Sequence, residues 1–162
     1  MAHFNRITII GLGAIGGSLG MALRRRRLAR EVVGVSRSIA TIRTARRRGA
    51  IDWGTTEAAR AVSGADVVVL AVPVGAIVPY AKRLGRWLPP GAILTDVGST
   101  KAAIVSALEG WCAARRCAFV GAHPLAGSEQ RGIDAARPDL FDGSLCLLTA
   151  TPRTNRAALA RM

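Results

Sequence analysis

The sequence predicts an α/β protein built on a doubly wound parallel sheet with helices on both faces. Short runs rich in Val, Ile and Ala alternate with helix-like stretches along the 162 residues. A glycine-rich turn, residues 11–18, directly follows the first apolar run. Hydrophobic residues make up 50% of the chain and aromatic residues only 4%, which suits slim strands beneath Ala-rich helices. This length is enough for one domain with a buried core.

The first strand and helix enclose a dinucleotide-type loop. Residues 6–10 are predicted to form a buried strand, and a helix is predicted from about residue 15 to 27. The turn between them satisfies GxGxxG at Gly11, Gly13 and Gly16. In such loops the first glycine permits the tight turn, the second lets backbone approach a pyrophosphate, and the third lets helix pack on strand.

The helix predicted after this loop offers free N–H groups and the positive end of its dipole to phosphate, next to Ala14 and Ile15. We therefore expect a Rossmann-type NAD(P)-binding domain, with both residues beside the cofactor. A glycine-rich turn without a ligand is the alternative, and the flanking strand and helix count against it.

The end of the second predicted strand, residues 31–35, indicates which dinucleotide binds. NAD-binding folds carry Asp or Glu about twenty positions after the last loop glycine, and this chain has Ser36, Arg37 and Ser38 there. Two hydroxyls and a planar guanidinium favour a 2′-phosphate. The alternative is that Ser38 caps a helix over residues 39–48 beside a solvated Arg37. Helix capping and phosphate binding do not exclude each other. The sequence thus predicts NADP as cofactor, with NAD as the less favoured choice.

The remaining elements continue the alternation of strands and helices. We predict helices at 56–62, 77–87, from just after 101 to about 115 and from about 155, and strands at 67–71, 92–95, 119–120 and 145–148. The most apolar window, residues 66–80, is too short for a membrane span and contains two prolines. Residues 1–5 give no signal-peptide pattern. We therefore expect neither membrane association nor export.

The net charge of +13 comes mainly from arginines, some of which cluster in the runs 24–27 and 46–48. Both runs lie at predicted helix C-termini, where cations complement the helix dipole. No aromatic residues alternate with them to stack bases, so we expect a solvated basic face that attracts an anionic substrate and cofactor, and no specific nucleic-acid binding.

The three cysteines lack CxxC spacing, which indicates reduced cysteines of a cytoplasmic protein and no metal site.

Residues 121–129, Gly-Ala-His-Pro-Leu-Ala-Gly-Ser-Glu, follow the apolar run 118–120. His123 is therefore expected just past the carboxyl end of a strand, the edge of a parallel sheet where ligands bind. A histidine beside a nicotinamide is suited to accept a proton from an alcohol that is being oxidised. The alternative is a loop histidine that only hydrogen-bonds to a neighbour.

Three motifs stand in the order found in prephenate/arogenate dehydrogenases: residues 11–19, 95–101 and 121–129. Segments 71–73, 139–141 and 147–152 also resemble that family, so the resemblance covers about residues 6–152. It implies a nucleotide-binding domain over residues 1–152, with Ala71, Val72 and Pro73 at the cofactor. Residues 153–162 are then the start of a helix that leads to a further domain.

The resemblance implies oxidative decarboxylation of a cyclohexadienol in tyrosine biosynthesis: hydride passes to the nicotinamide, carbon dioxide leaves and the ring becomes aromatic. His123 is implied to accept the proton of the ring hydroxyl, and Ser99 to orient that hydroxyl. Ser128 and Glu129 are implied to contact the substrate, and Lys101 to shape the site. A simpler role for Ser99 is to cap the helix that follows it.

Members of the resembled family carry a helical C-terminal region that forms a homodimer and supplies an arginine to the substrate. We therefore expect this chain to carry the cofactor half of the site and to lack the substrate half. The alternative is a stand-alone NADP-binding module with little or no turnover. Another Rossmann dehydrogenase, such as a hydroxyacid or imine reductase, fits the glycine loop but not the motif around His123.

Overall fold

The computed structural model describes residues 3–127 and 129–162. Seven strands within these residues form one sheet: β1 (Phe4–Ile10), β2 (Ala29–Val35), β3 (Trp53–Thr55), β4 (Val67–Leu70), β5 (Ile93–Asp96), β6 (Ala118–Pro124) and β7 (Cys146–Thr149). The helices of the same residues are α1 (Ala14–Arg25), α2 (Ile39–Arg47), α3 (Ala58–Val62), α4 (Val74–Leu84), α5 (Ala102–Ala113) and α6 (Arg156–Ala160). A 3₁₀ turn covers Ile133–Ala135.

The sheet has the order β3-β2-β1-β4-β5-β6-β7. Strands β1 to β6 run parallel, and β7 pairs antiparallel with β6 at one edge. The direction of winding reverses between β1 and β4, which opens a crevice at the carboxyl ends of these two strands. The predicted α/β, doubly wound architecture is confirmed, and the antiparallel edge strand is an addition that the sequence pattern did not predict.

Alternate residues of each strand pack on opposite faces of the sheet, because side chains alternate along a strand. Ile10, Leu70 and Leu94 pack with α3, α4 and α5 in one core cluster. Ile9 and Val69 pack on the other face, with residues of α1, α2 and α6. Both faces of the central strands are thus covered, and the carboxyl edge of the sheet is left for a ligand.

The structure corrects the predicted position of His123. This residue lies inside β6, not past its end, because pairing with β7 continues the strand through Pro124. His123 stands opposite Leu147 in the antiparallel register. It remains at the carboxyl edge of the sheet, since only Pro124 follows it in the strand.

The structure also differs from the sequence prediction in smaller elements. Helix α4 begins at Val74 instead of residue 77, because Pro73 takes the N-cap position with an extended backbone. It ends at Leu84. The following Gly85 packs closely against Trp111, since a Cβ on this glycine would lie only 2.5 Å from the tryptophan ring. The three-residue β3 was not predicted, being too short to show a period. None of the helices in the described ranges is long and apolar enough to cross a membrane.

Candidate active site

Two glycines of the loop between β1 and α1 have no room for a side chain. Gly11 has a φ of 101°, and a Cβ there would lie 2.3 Å from the carbonyl oxygen of Ala71. A Cβ on Gly16 would lie 2.0 Å from the carbonyl oxygen of Gly11. These contacts bring the loop, the end of β4 and the first turn of α1 together at the crevice between β1 and β4.

Gly13 differs from these two, since no heavy atom lies within 4 Å of the position a Cβ would take. It is the N-cap of α1, and no side chain caps this helix. Ala14 and Ile15 follow as the first helical residues. An uncapped helix N-terminus behind an open glycine suits the pyrophosphate of a dinucleotide, because the N–H groups are free to donate to it.

The segment after β4 lies beside this loop. The N–H of Ala71 donates to the carbonyl of Ile10 at 2.8 Å, which ties the two strand ends together. Val72 is half-buried, with its Cγ1 at 3.3 Å from the position that a Cβ on Gly11 would take, and Pro73 is exposed at the start of α4. The structure therefore brings Ala71 and Val72 to the glycine loop, and the exposed Pro73 follows them as the N-cap of α4.

The end of β2 presents the segment predicted to select the cofactor. Ser38 caps α2, as predicted: its Oγ accepts a hydrogen bond from the N–H of Thr41 at 3.3 Å. The Oγ of Ser36 accepts from the N–H of Ser38 at 3.2 Å. Arg37 between them is exposed, and no residue of the described ranges forms a hydrogen bond or ion pair with its guanidinium. This cation is thus available to an anionic ligand.

A buried carboxylate organises the ends of β5 and β6. Asp96 has no exposed surface, and one of its oxygens, Oδ2, pairs with the ammonium of Lys101. The same oxygen accepts from the N–H of Gly98 at 2.9 Å, which fixes the turn before Ser99. The other oxygen, Oδ1, accepts from the N–H of Ala122 at 3.4 Å. One side chain therefore holds the turn that presents Ser99 and the strand position before His123.

His123 and Lys101 lie on the same face of the sheet. His123 is two residues from Gly121 along β6, so both face α5, as Phe119 does. The stem of Lys101 covers Gly121, with its Cδ at 3.3 Å from the position a Cβ would take. A cation is thereby held beside the strand that carries the histidine.

The two proposed catalytic side chains are free to meet a substrate. Within residues 3–127 and 129–162, neither the imidazole of His123 nor the hydroxyl of Ser99 has a hydrogen-bond partner. Ser99 is exposed and does not cap α5, whose N-cap is Lys101 without a side-chain hydrogen bond. The two residues stand at the ends of neighbouring strands, and no direct bond joins them.

One of the other predicted substrate contacts lies in the loop after β6. Glu129 is exposed there and has no bonding partner among the described residues. Ser128 lies outside the described residues.

A thiol adjoins this edge of the sheet and was not assigned a role from the sequence. Cys146 stands opposite Pro124 in the register of β6 and β7. Burial raises the pKa of the Cys146 thiol, and a hydrogen bond with the backbone of His123 and the charge of Lys101 partly oppose that rise. Asp96 was also left without a role, although an aspartate that ends a strand of apolar residues is a signal for a buried polar contact.

The topology, the crevice and the glycine loop define a dinucleotide-binding domain of the Rossmann type. The family model described as prephenate dehydrogenase, nucleotide-binding domain, matches residues 19–162. The chain belongs to this family.

Relatives of known structure or sequence agree with the assignment. Prephenate dehydrogenase of Lactococcus lactis is 33% identical over 155 residues, which cover 95% of this chain and 43% of the relative. The crystal structure of Synechocystis arogenate dehydrogenase has a TM-score of 0.87 and 35% identity, covering 96% of this chain and 53% of that one. Prephenate dehydrogenase from A. aeolicus, in complex with hydroxyphenyl propionate and NAD⁺, has a TM-score of 0.87 and 33% identity, covering 96% and 54%. The chain spans about half the length of these relatives.

Proposed function

We propose that this chain binds NADP and contributes the cofactor half of a site for oxidative decarboxylation of prephenate or arogenate. The observation that carries the proposal is the pair of unpartnered side chains, Ser99 and His123, at adjacent strand ends in a chain of this family. The relatives described above are named for these two acids, and one of them was crystallised with NAD⁺.

His123 is the proposed proton acceptor. A neutral imidazole at this edge accepts the proton of the substrate's ring hydroxyl as the carbinol carbon is oxidised. Ser99 orients that hydroxyl by hydrogen bonding. When bound, the nicotinamide supplies the acceptor for the hydride. Glu129 and Ser128 are retained as proposed substrate contacts from the loop that follows β6.

Asp96 and Lys101 support these two residues. Because the carboxylate of Asp96 bonds to Gly98 and Ala122, it fixes the backbone on both sides of the proposed site. Positioning of reacting groups contributes several kcal/mol to catalysis in general, on the order of 7–11 kcal/mol at most. Lys101 pairs with this carboxylate and adds positive charge near an anionic substrate.

The pyrophosphate would be held by the loop and the start of α1, at Gly11, Gly13, Ala14, Ile15 and Gly16. The space at Gly13 supports this role because a ligand can approach the backbone there. The 2′-phosphate would be held by Ser36, Arg37 and Ser38. The segment after β4 would also contact the cofactor, through Ala71, Val72 and Pro73. The free guanidinium of Arg37 supports NADP over NAD.

The alternative proposal is an NADP-binding module with little or no turnover. The observations that favour it are the open space at Gly13 and the unpaired guanidinium of Arg37, which concern the cofactor alone. A homodimer and a cytoplasmic location stay predictions from the sequence.

Turnover separates the two proposals. The purified chain is mixed with NADP and either prephenate or arogenate, and NADPH formation is followed by absorbance while NADP binding is measured by calorimetry. NADPH formed with either acid supports the dehydrogenase proposal. Binding of NADP without turnover of either acid supports the binding module, and no binding of NADP or NAD contradicts both.

A further inference from the structure

Two buried thiols lie far from the proposed active site, at the opposite edge of the sheet. Cys112 is in the last turn of α5 and Cys117 directly precedes β6. They are 0% and 7% exposed. The thiol of Cys117 donates to the carbonyl oxygen of Cys112 at 3.3 Å, and the two side chains also hydrogen-bond to each other. The proposed dehydrogenase function uses neither.

The way in which α5 ends brings the two sulfurs together. Arg116 has a left-handed backbone with a φ of 59°. The N–H of Cys117 donates to the carbonyl of Cys112 at 3.1 Å, and the N–H of Arg116 donates to the carbonyl of Ala113 at 3.0 Å. These two bonds make a Schellman motif, in which the chain reverses and its first and sixth residues are joined. The pair is therefore set by backbone geometry and not by a chance contact of side chains.

The two thiols are chemically unequal. The hydrogen bond from Cys112 lowers the pKa of Cys117, and Arg115 acts in the same direction against the effect of burial. The same hydrogen bond, together with burial, raises the pKa of Cys112. Since the thiolate is the nucleophile in thiol chemistry, Cys117 is the more reactive sulfur of the pair.

A cavity beside Cys117 has room for a small oxidant. Cys117 lines a cavity of about 460 Å³ between α5, β6 and α6, whereas Cys112 does not line it. Arg116, Arg153 and Arg161 line this cavity together with one carboxylate, that of Glu109, so the charge of its lining is positive. Hydrogen peroxide is far smaller than the cavity.

We propose that Cys112 and Cys117 are a redox-active dithiol that closes to a disulfide, with Cys117 as the attacking sulfur and Cys112 as the resolving one. The co-reactant is a peroxide. The Cys117 thiolate attacks one oxygen of hydrogen peroxide, so that an S–O bond forms, the O–O bond breaks and hydroxide leaves. The thiol of Cys112 then attacks the sulfenic sulfur, the S–S bond forms, and the S–O bond breaks with release of water.

The overall reaction converts two thiols and one hydrogen peroxide into one disulfide and two waters, since the hydroxide takes up the proton that Cys117 gave up on ionisation. The sulfurs lose two electrons and the peroxide oxygens gain them. A thiol reductant reverses the linkage.

The test treats the folded chain with a small excess of hydrogen peroxide, blocks free thiols with N-ethylmaleimide and maps peptides by mass spectrometry. We expect a Cys112–Cys117 cross-link that dithiothreitol removes, with Cys146 recovered as the alkylated thiol. Oxidation of Cys146 with the pair left reduced overturns the proposal, and so does a Cys117 sulfonic acid without any cross-link. This mapping uses the unmodified chain and depends on no variant.

Variants assign the two roles. In Cys112→Ser, peroxide should leave a sulfenic acid on Cys117 that dimedone traps, because the resolving thiol is gone. In Cys117→Ser, Cys112 should stay unmodified. The matched control is Cys146→Ser, which also removes one thiol and should still form the cross-link in full. Dimedone labelling of Cys112 in Cys117→Ser at the rate seen for Cys117 overturns the assignment.

Discussion

Asp96 and Lys101 form an ion pair in which the carboxylate is wholly buried and the lysine side chain is 13% exposed. A pair so removed from water differs from the ion pairs on the surface of this chain. The pair between Arg137 and Asp139, at 3.8 Å, has both side chains more than half exposed. Solvent screens the exposed pair, whereas removal of one buried partner leaves the other charge without compensation.

Asp96→Asn should therefore destabilise the chain by about 3–5 kcal/mol, the usual scale for breaking a buried ion pair. Urea denaturation measures this free energy of unfolding. The matched control is Asp139→Asn, which makes the same chemical change on the surface and should alter stability by less than about 1 kcal/mol. Equal effects of the two variants would mean that the buried pair does not hold the strand ends together.

Alanine at two glycines of the cofactor loop should have different effects. At Gly16 it should lower the stability of the chain, and at Gly13 it should weaken the binding of NADP. Gly16→Ala places a Cβ 2.0 Å from the carbonyl oxygen of Gly11, and such overpacking costs about 1–3 kcal/mol or more. Gly13→Ala meets no atom within 4 Å, so stability should change by less than about 1 kcal/mol. The added methyl should nevertheless weaken NADP binding at least tenfold, about 1.4 kcal/mol, by obstructing the pyrophosphate. Calorimetric titration and thermal unfolding read the two effects separately, and unchanged affinity in Gly13→Ala contradicts the proposed cofactor position.

NADP should bind more tightly than NAD, and Arg37→Ala should remove most of the difference. A hydrogen bond to a charged group is worth roughly 1.5–3 kcal/mol, which is about one to two decades in affinity. Arg156→Ala is the control, because it removes the same charge from an exposed arginine of α6. Titration of both cofactors checks the prediction; equal affinities for NAD and NADP in the unmodified chain refute it.

His123→Asn should reduce turnover of prephenate or arogenate by roughly 10²–10⁴, the usual scale for loss of a general base. The affinity for NADP should stay nearly constant, since the imidazole is not expected to hold the pyrophosphate. His3→Asn changes the other histidine of the chain, an exposed one, and should leave both quantities unchanged. Normal turnover in His123→Asn assigns a structural role to this residue. Where the unmodified chain shows no turnover, the binding-module proposal applies instead.

The ion pairs of Asp142 with Arg25 and Arg26 should make the stability of the chain depend on pH and salt. A hydrogen bond from Arg25 holds the pKa of Asp142 below the ordinary value of 3.8. Desolvation opposes this shift, and a hydrogen bond from Arg26 adds to it; each of the two bonds is 2.6 Å long. The ionised form therefore stabilises the folded chain above the pKa of an unfolded aspartate, and this contribution is lost as pH falls through the lower folded pKa.

Asp142→Asn should accordingly melt at a lower temperature than the unmodified chain at neutral pH and low salt. The two melting temperatures should converge in acid, where the carboxyl is protonated. They should also converge at high salt, because the side chains are exposed and their charges are screened. A difference in melting temperature that persists in acid would assign the effect of Asp142 to something other than its charge.

The sequence predicted the parts of this fold that local chemistry determines. The alternation of strands and helices, the glycine loop and the cap at Ser38 each depend on neighbouring residues, and the structure has all three. The limits of α4 were wrong because Pro73 could be read either as a loop residue or as a helix N-cap. A short strand such as β3 has no period to detect.

Longer-range pairings could not be predicted in the same way. The placement of His123 in β6 depends on β7, more than twenty residues further along the chain, and no local pattern of residues 121–124 indicates that pairing. The hydrogen bond from the N–H of Ala122 to Asp96 depends likewise on how separate elements meet. The motif identified the residues of the candidate site, and the sheet supplies their arrangement.

The antiparallel register of β6 with β7 has a consequence for the thermodynamics of binding. A histidine in a flexible loop would lose its backbone freedom when the ligand arrives, at roughly 1–2 kcal/mol per residue. His123 lies in a hydrogen-bonded ladder opposite Leu147, so its backbone entropy is already lost when the chain folds. Ligand binding at this edge should then cost less conformational entropy, which favours a higher affinity. The backbone amides of residues 121–123 should exchange with deuterium slowly whether or not a ligand is present.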